Sequence, residues 1–171
     1  SALFLGEALS RTGLLALAYR RLGMRPASQA RRPARTASRM AWAILCGFGR
    51  NGQYMGRLLE QEGITYIALD LDPERVREAA AAGETVVFGD AAKRETLMAA
   101  GISRASVVVV TYADTASALR AISQVRSCRP DVPVVVRIYD EMDLEKLQQA
   151  GAAEVVPESV ESALILASHA L

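Results

Sequence analysis

An α/β fold, a doubly wound parallel sheet of about six strands preceded by a helical basic arm, is what the sequence predicts, and three observations carry it. From Ala41 onward, short apolar runs alternate with longer stretches of helical spacing. The runs are continuously apolar, as in Val107-Val108-Val109-Val110, which marks strands covered on both faces. Glycines stand where helices should stop, at Gly63, Gly83, Gly101 and Gly151. Six βα units of this kind imply a parallel sheet with helices on either side, joined by right-handed crossovers.

The strand runs in order are AWAILCGFG (41–49), ITYIALD (64–70), ETVVFGD (84–90), SVVVVTY (106–112), VPVVVRI (132–138) and AEVVP (153–157). Helices are expected at about 51–62, 73–82, 92–100, 114–128, 141–150 and 158–171. Asp72-Pro73 puts a cap residue before a proline at the first helical position.

Composition narrows the class. The 171 residues are 51% hydrophobic and 23% charged, with 20 Lys+Arg against 19 Asp+Glu. That excludes a disordered or collagen-like chain and suits one domain of roughly 100–200 residues. Cys46 and Cys128 are too few for a disulfide framework or a four-cysteine zinc site, which favours a reducing, cytoplasmic setting. Aromatic residues at 5% leave a base-stacking platform poorly supplied, so no nucleic-acid partner is expected.

The charge is unevenly spread. Residues 1–40 hold eight arginines against a single acid, Glu7, for a net +7, which leaves −6 for the remainder. The chain accordingly divides into an amphipathic helix with a basic linker (1–40) and an α/β domain (41–171). Residues 2–22 place Leu5, Leu9, Leu15, Tyr19 and Leu22 near one helical face, but Glu7 and Arg11 interrupt the run. It thus falls short of the roughly 18–20 apolar residues of a membrane span. Basic residues after an apolar helix fit the cytoplasmic side of a membrane; a solvated amphipathic helix, or vector-derived residues, are the plainer alternatives.

The chemistry concentrates after the first run. Gly47-Phe48-Gly49-Arg50-Asn51-Gly52 is a GxGxxG between a strand and a helix, the Rossmann-type arrangement. Its glycines permit a tight turn, close approach of backbone to a pyrophosphate, and close packing of helix on strand. Free N–H groups at the helix start attract phosphate. Eighteen residues after Gly52, Asp70 ends the second run, where a carboxylate accepts hydrogen bonds from ribose hydroxyls and repels a 2′-phosphate. NAD(H), AMP, ADP or ATP is thereby favoured over NADP. Leu71 and Asp72 follow directly; Asp72 either assists at the ribose or caps the next helix. Arg50 and Arg75 are phosphate ligands or solvated surface arginines.

The third and fourth strands end in Gly89-Asp90-Ala91 and Thr111-Tyr112-Ala113-Asp114, which should border the same crevice at the carboxyl ends of the strands. Asp90 and Asp114 have the alternative role of helix caps. No catalytic set assembles: His169 lies beside the chain end, Cys46 reads as a small buried hydrophobe, and no HExxH or Walker lysine occurs. No metal site is expected either. A body of about 131 residues has no room for a separate substrate domain, so binding is favoured over turnover. The alternative is a small NAD(H)-dependent oxidoreductase or NADH/NAD redox sensor, for which Tyr112 is the nearest proton donor.

The stretches CGFGRNGQYMGRLLEQEGITYIALDLDPERV, VVFGDAAKRETLMAAGI and LEKLQQAGAAEVVPESVESAL together resemble the RCK, or TrkA N-terminal, regulatory domain, and most closely the cytoplasmic domain of Kef-type potassium efflux systems. The resemblance implies nucleotide-binding roles for Gly47, Gly49, Gly52, Asp70 and Asp90. It also implies a homodimer through the C-terminal helix, with Glu158 at the start of that helix near the subunit interface. A membrane transport domain of the cation:proton antiporter type, gated when ligand binds, is the implied partner, at the cytoplasmic face of the inner (plasma) membrane. Glutathione-responsive relatives share Gly56-Arg57-Leu58-Leu59 and Arg137, but carry further arginines where Tyr139, Glu145 and Leu147 stand here. The resemblance therefore implies nucleotide control more than glutathione control.

Overall fold

Six strands pair in the order β3-β2-β1-β4-β5-β6, every ladder parallel. The computed structural model describes residues 41–112, 114–139 and 141–158. The strands are β1 (Trp42–Cys46), β2 (Thr65–Asp70), β3 (Val86–Phe88), β4 (Val107–Val110), β5 (Val134–Ile138) and β6 (Glu154–Pro157). The helices between them are α1 (Arg50–Gln61), α2 (Pro73–Ala81), α3 (Arg94–Ala99), α4 (Thr115–Cys128) and α5 (Leu144–Gln149). This is the Rossmann order, with β1 and β4 adjacent at the point where the winding reverses. The expected basic arm and the helix beyond Glu158 lie outside the described residues.

The continuous apolar runs have a simple cause. Along β1, Ala43 and Leu45 join one core, with Phe48, Leu59, Tyr66 and Ala79, while Ile44 and Cys46 join the other, with Leu97, Ile122 and Leu147. β4 divides in the same way, Val107 and Val109 against Val108 and Val110. Since a strand's side chains alternate between faces, a sheet buried on both sides needs apolar residues at every position.

The expected stops hold. Gly63, Gly83, Gly101 and Gly151 all have positive φ, and Asp72 caps α2 by accepting from the N–H groups of Glu74 and Arg75. Two elements differ from expectation. Residues 141–143 form a 3-10 turn before α5, and α3 begins at Arg94, because Asp90 Oδ1 accepts from the Ala92 N–H and closes a turn upstream of the helix. Arg126, in the last turn of α4, donates to the carbonyls of Gly151 and Val132 (2.6 Å each) and so ties the loops before β5 and β6 to the helix end. A cation there also complements the helix dipole.

Candidate functional site

At the end of β1 the chain leaves the sheet through Gly47, whose φ of +100° suits glycine. A Cβ there would lie 2.7 Å from Thr111 Oγ1, and that hydroxyl donates to the Gly47 carbonyl at 2.9 Å. Gly52, in the first turn of α1, approaches so closely that a Cβ would be 2.2 Å from the Gly47 oxygen. Gly49 differs: a Cβ there would meet nothing within 4 Å, so this point of the turn faces open space. Gly49 caps α1 without a side-chain bond, and the first turn of the helix carries no acid. Its exposed N–H groups therefore present positive charge to whatever fills that space.

Asp70 is the buried charged residue beside this turn, 4% exposed. Its Oδ2 accepts from the Phe48 N–H at 2.6 Å and its Oδ1 from the Asp72 N–H at 2.9 Å. Arg75 Nη1 bridges both oxygens, at 2.8 and 2.9 Å. Burial pushes the Asp70 carboxyl up, but the Asp72 and Phe48 N–H groups and Arg75 outweigh it and hold the group below the ordinary carboxylate value.

A cleft of about 880 Å³ opens over the carboxyl ends of the strands. Its walls hold Gly47, Gly49, Arg50, Asn51 and Gly52 from the turn, and Asp70, Leu71, Asp72 and Arg75 after β2. Asp90, Thr111, Tyr112 and Asp114 line it as well. Three of the sequence candidates do not line it. Phe48 turns its ring into the core and contributes its N–H to Asp70; Gly89 packs on Thr96, to whose Cγ2 a Cβ would come within 2.5 Å; Ala91 is wholly buried, and its neighbour Ala92 lines the cleft instead. Asp72 and Asp114 serve as caps while also facing the cleft; Asp114 accepts from the Ser117 N–H at 2.8 Å.

Sequence reasoning missed the far wall. Ser117 and Arg120 follow Asp114 at spacings of three along α4, so helical periodicity could have found them. Tyr139 and Glu158 also line the cleft, and Glu158 Oε1 pairs with Arg137 Nη2 at 2.8 Å. The other oxygen, Oε2, is buried with no hydrogen-bond partner among the described residues. Burial pushes both the Tyr112 hydroxyl and the Cys46 thiol up, the latter to about 12. Among the described residues no group of three His, Cys, Asp or Glu side chains is placed to hold a metal.

The TrkA-N domain model matches residues 43–158, a span that runs from β1 through the last strand. The chain belongs to the TrkA-N family. The domain is similar to a putative K(+) efflux antiporter KefB of Alkalimonas amylolytica, 41% identical over 128 residues, 75% of this chain and 19% of that protein. It is similar also to the glutathione-regulated potassium-efflux system protein KefC of Cronobacter sakazakii, 34% identical over 99% of this chain and 28% of the relative. The chain thus spans well under a third of either relative. Among solved structures, the TrkA-N domain of the inner membrane protein YbaL from Escherichia coli superposes with a TM-score of 0.68 at 25% identity, covering 76% of this chain and 96% of that one. The Shewanella denitrificans Kef CTD in its AMP-bound form gives 0.64 at 29% identity over 73% and 75% of the two chains. GsuK bound to ADP gives 0.65 at 29%, over 77% and 34%.

Proposed function

We propose that this TrkA-N domain is the regulatory domain of a Kef-type potassium efflux system and that an adenine nucleotide, NAD(H) or AMP/ATP, binds in the cleft and gates transport. The observation that carries this reading is the joining in one cleft of a glycine turn open at Gly49 and a buried carboxylate, Asp70, at the end of the next strand. The first-turn N–H groups of α1 suit phosphate, and Asp70 suits the ribose hydroxyls. The relatives' names give the potassium efflux context, and solved neighbours hold AMP and ADP. On this reading the domain sits at the cytoplasmic face of the inner membrane beside a transport domain of the same or a partner chain, and pairs through its C-terminal helix. Coupling requires that the nucleotide bind two arrangements of the pair with different affinity.

A binding role is favoured over turnover. Tyr112, the nearest proton donor, is held protonated far above neutral pH, and no lysine is among the described residues lining the cleft. The test is a thermal-shift titration of the chain and of Asp70→Ala with NAD⁺, NADH, NADPH, AMP, ADP and ATP. At about 100-fold its dissociation constant a ligand adds roughly 2.7 kcal/mol. An adenine nucleotide should stabilise the wild type and not the variant, with NADPH weaker than NADH. If no nucleotide stabilises the wild type, the reading is wrong.

A further inference from the structure

Arg75 occupies part of the hydrogen-bonding capacity of Asp70. Asp70 accepts four hydrogen bonds, two at each oxygen, and a carboxylate offers about four lone-pair positions. Two of the donors are backbone N–H groups, fixed by the glycine turn and by the entry to α2. The other two bonds come from one atom, Arg75 Nη1, which bridges both oxygens. Removing that atom opens one position on each oxygen, the pattern that the two O–H donors of a vicinal cis-diol fill.

The pair is unequal in mobility. The Asp70 side chain is 5% exposed and held by two backbone groups, whereas that of Arg75 is 37% exposed and ends a long flexible stem. Arg75 also has a second foothold, its Nη2 lying 3.2 Å from Asp72 Oδ2. The guanidinium can therefore release Asp70 and stay at the rim of the cleft. With no ligand, it keeps a buried carboxylate from facing an uncompensated charge.

We infer that Arg75 is a specificity-determining residue, an internal occupant of the ribose position that a cis-diol must displace. The inference rests on the nucleotide reading above. Its consequence is that part of the gain from each ribose hydroxyl is offset by the loss of the arginine contact, so the wild-type domain distinguishes ribose from 2′-deoxyribose less sharply than a bare carboxylate would. Arg75 thereby sets both the affinity for the nucleotide and the worth of its 2′-hydroxyl.

The test is calorimetric titration of the full chain and of Arg75→Met with AMP and 2′-deoxy-AMP, which share base and phosphate and differ in one hydroxyl. AMP should bind about fivefold tighter to Arg75→Met, the scale of a partly exposed ion pair that no longer competes, and 2′-deoxy-AMP should gain less, so that the ratio between them widens. Arg75→Gln, which keeps a neutral donor, should shift both quantities part of the way and guards against a methionine variant that fails to fold. Weaker AMP binding in both variants, the behaviour of an arginine that holds phosphate or base, overturns the inference, and so does an unchanged ratio. In either case AMP binding by the wild type leaves the nucleotide reading standing. If AMP binds none of the three proteins and no other adenine nucleotide stabilises the wild type, both fall.

Discussion

The two walls of the cleft satisfy their carboxylates differently. At the β2 wall Asp70 has both oxygens fully engaged, half of its bonds coming from backbone groups. At the β6 wall Glu158 pairs one oxygen with Arg137 and leaves the other buried without a partner among the described residues. A carboxylate ringed by fixed donors holds the backbone turn it accepts from, whereas one with an idle oxygen tolerates a change of chemistry there. The first wall is structural as well as chemical.

The largest effect should come from the packing beneath the first wall. Gly52→Ala puts a methyl group 2.2 Å from the Gly47 carbonyl, which is backbone and cannot swing away. A loss of about 3 kcal/mol is expected in urea denaturation, at the upper end of overpacking costs. A neutral result would show that the glycine turn can shift, and the contrast between the walls would disappear.

Substitutions of the two acids sharpen the comparison directly. In Asp70→Asn the amide NH₂ must face the N–H of either Phe48 or Asp72, donor against donor, and a cost of about 2 kcal/mol is expected. In Glu158→Gln the NH₂ can take the position of Oε2, where no donor stands among the described residues, so the cost should stay below about 1 kcal/mol. Equal losses in denaturant midpoints would break the distinction.

The smallest effect concerns pH. Because the folded-state value of Asp70 is depressed, its contribution to stability is present above the unfolded carboxylate value of about 3.9 and is lost as pH falls through the folded value. Asp114, Asp131 and Asp143 are lowered as well, each by its own hydrogen bonds or ion pairs, and they add to the acid limb. Asp70→Asn should therefore lose less stability than the wild type as pH falls below about 4. Identical slopes in denaturation at stepped pH would show that Asp70 gains nothing from its partners.

The same contrast explains what could be read from the sequence. β1, β4 and the helix stops were legible because periodicity and left-handed glycines are local signals. The glycine turn and Asp70 were legible because their spacing reports a βαβ unit. The pairing of Arg75 with Asp70 was not, because it depends on how the turn at Asp72-Pro73 aims a long side chain. Nor was the Glu158–Arg137 pair, which forms only once β6 lies beside β5. Arg126 carries no mark in the sequence of the four carbonyls to which it donates.

The Thr111 hydroxyl that closes the glycine turn lies 64 residues downstream of the carbonyl it holds. On a ribosome adding about 5–20 residues per second, the turn waits roughly 3–13 s for that clasp, far longer than a helix, hairpin or loop takes to form. Until β4 emerges, the nascent chain carries the signature of the site without its shape, and the moment at which the domain becomes able to recognise anything is set by translation rather than by the turn itself.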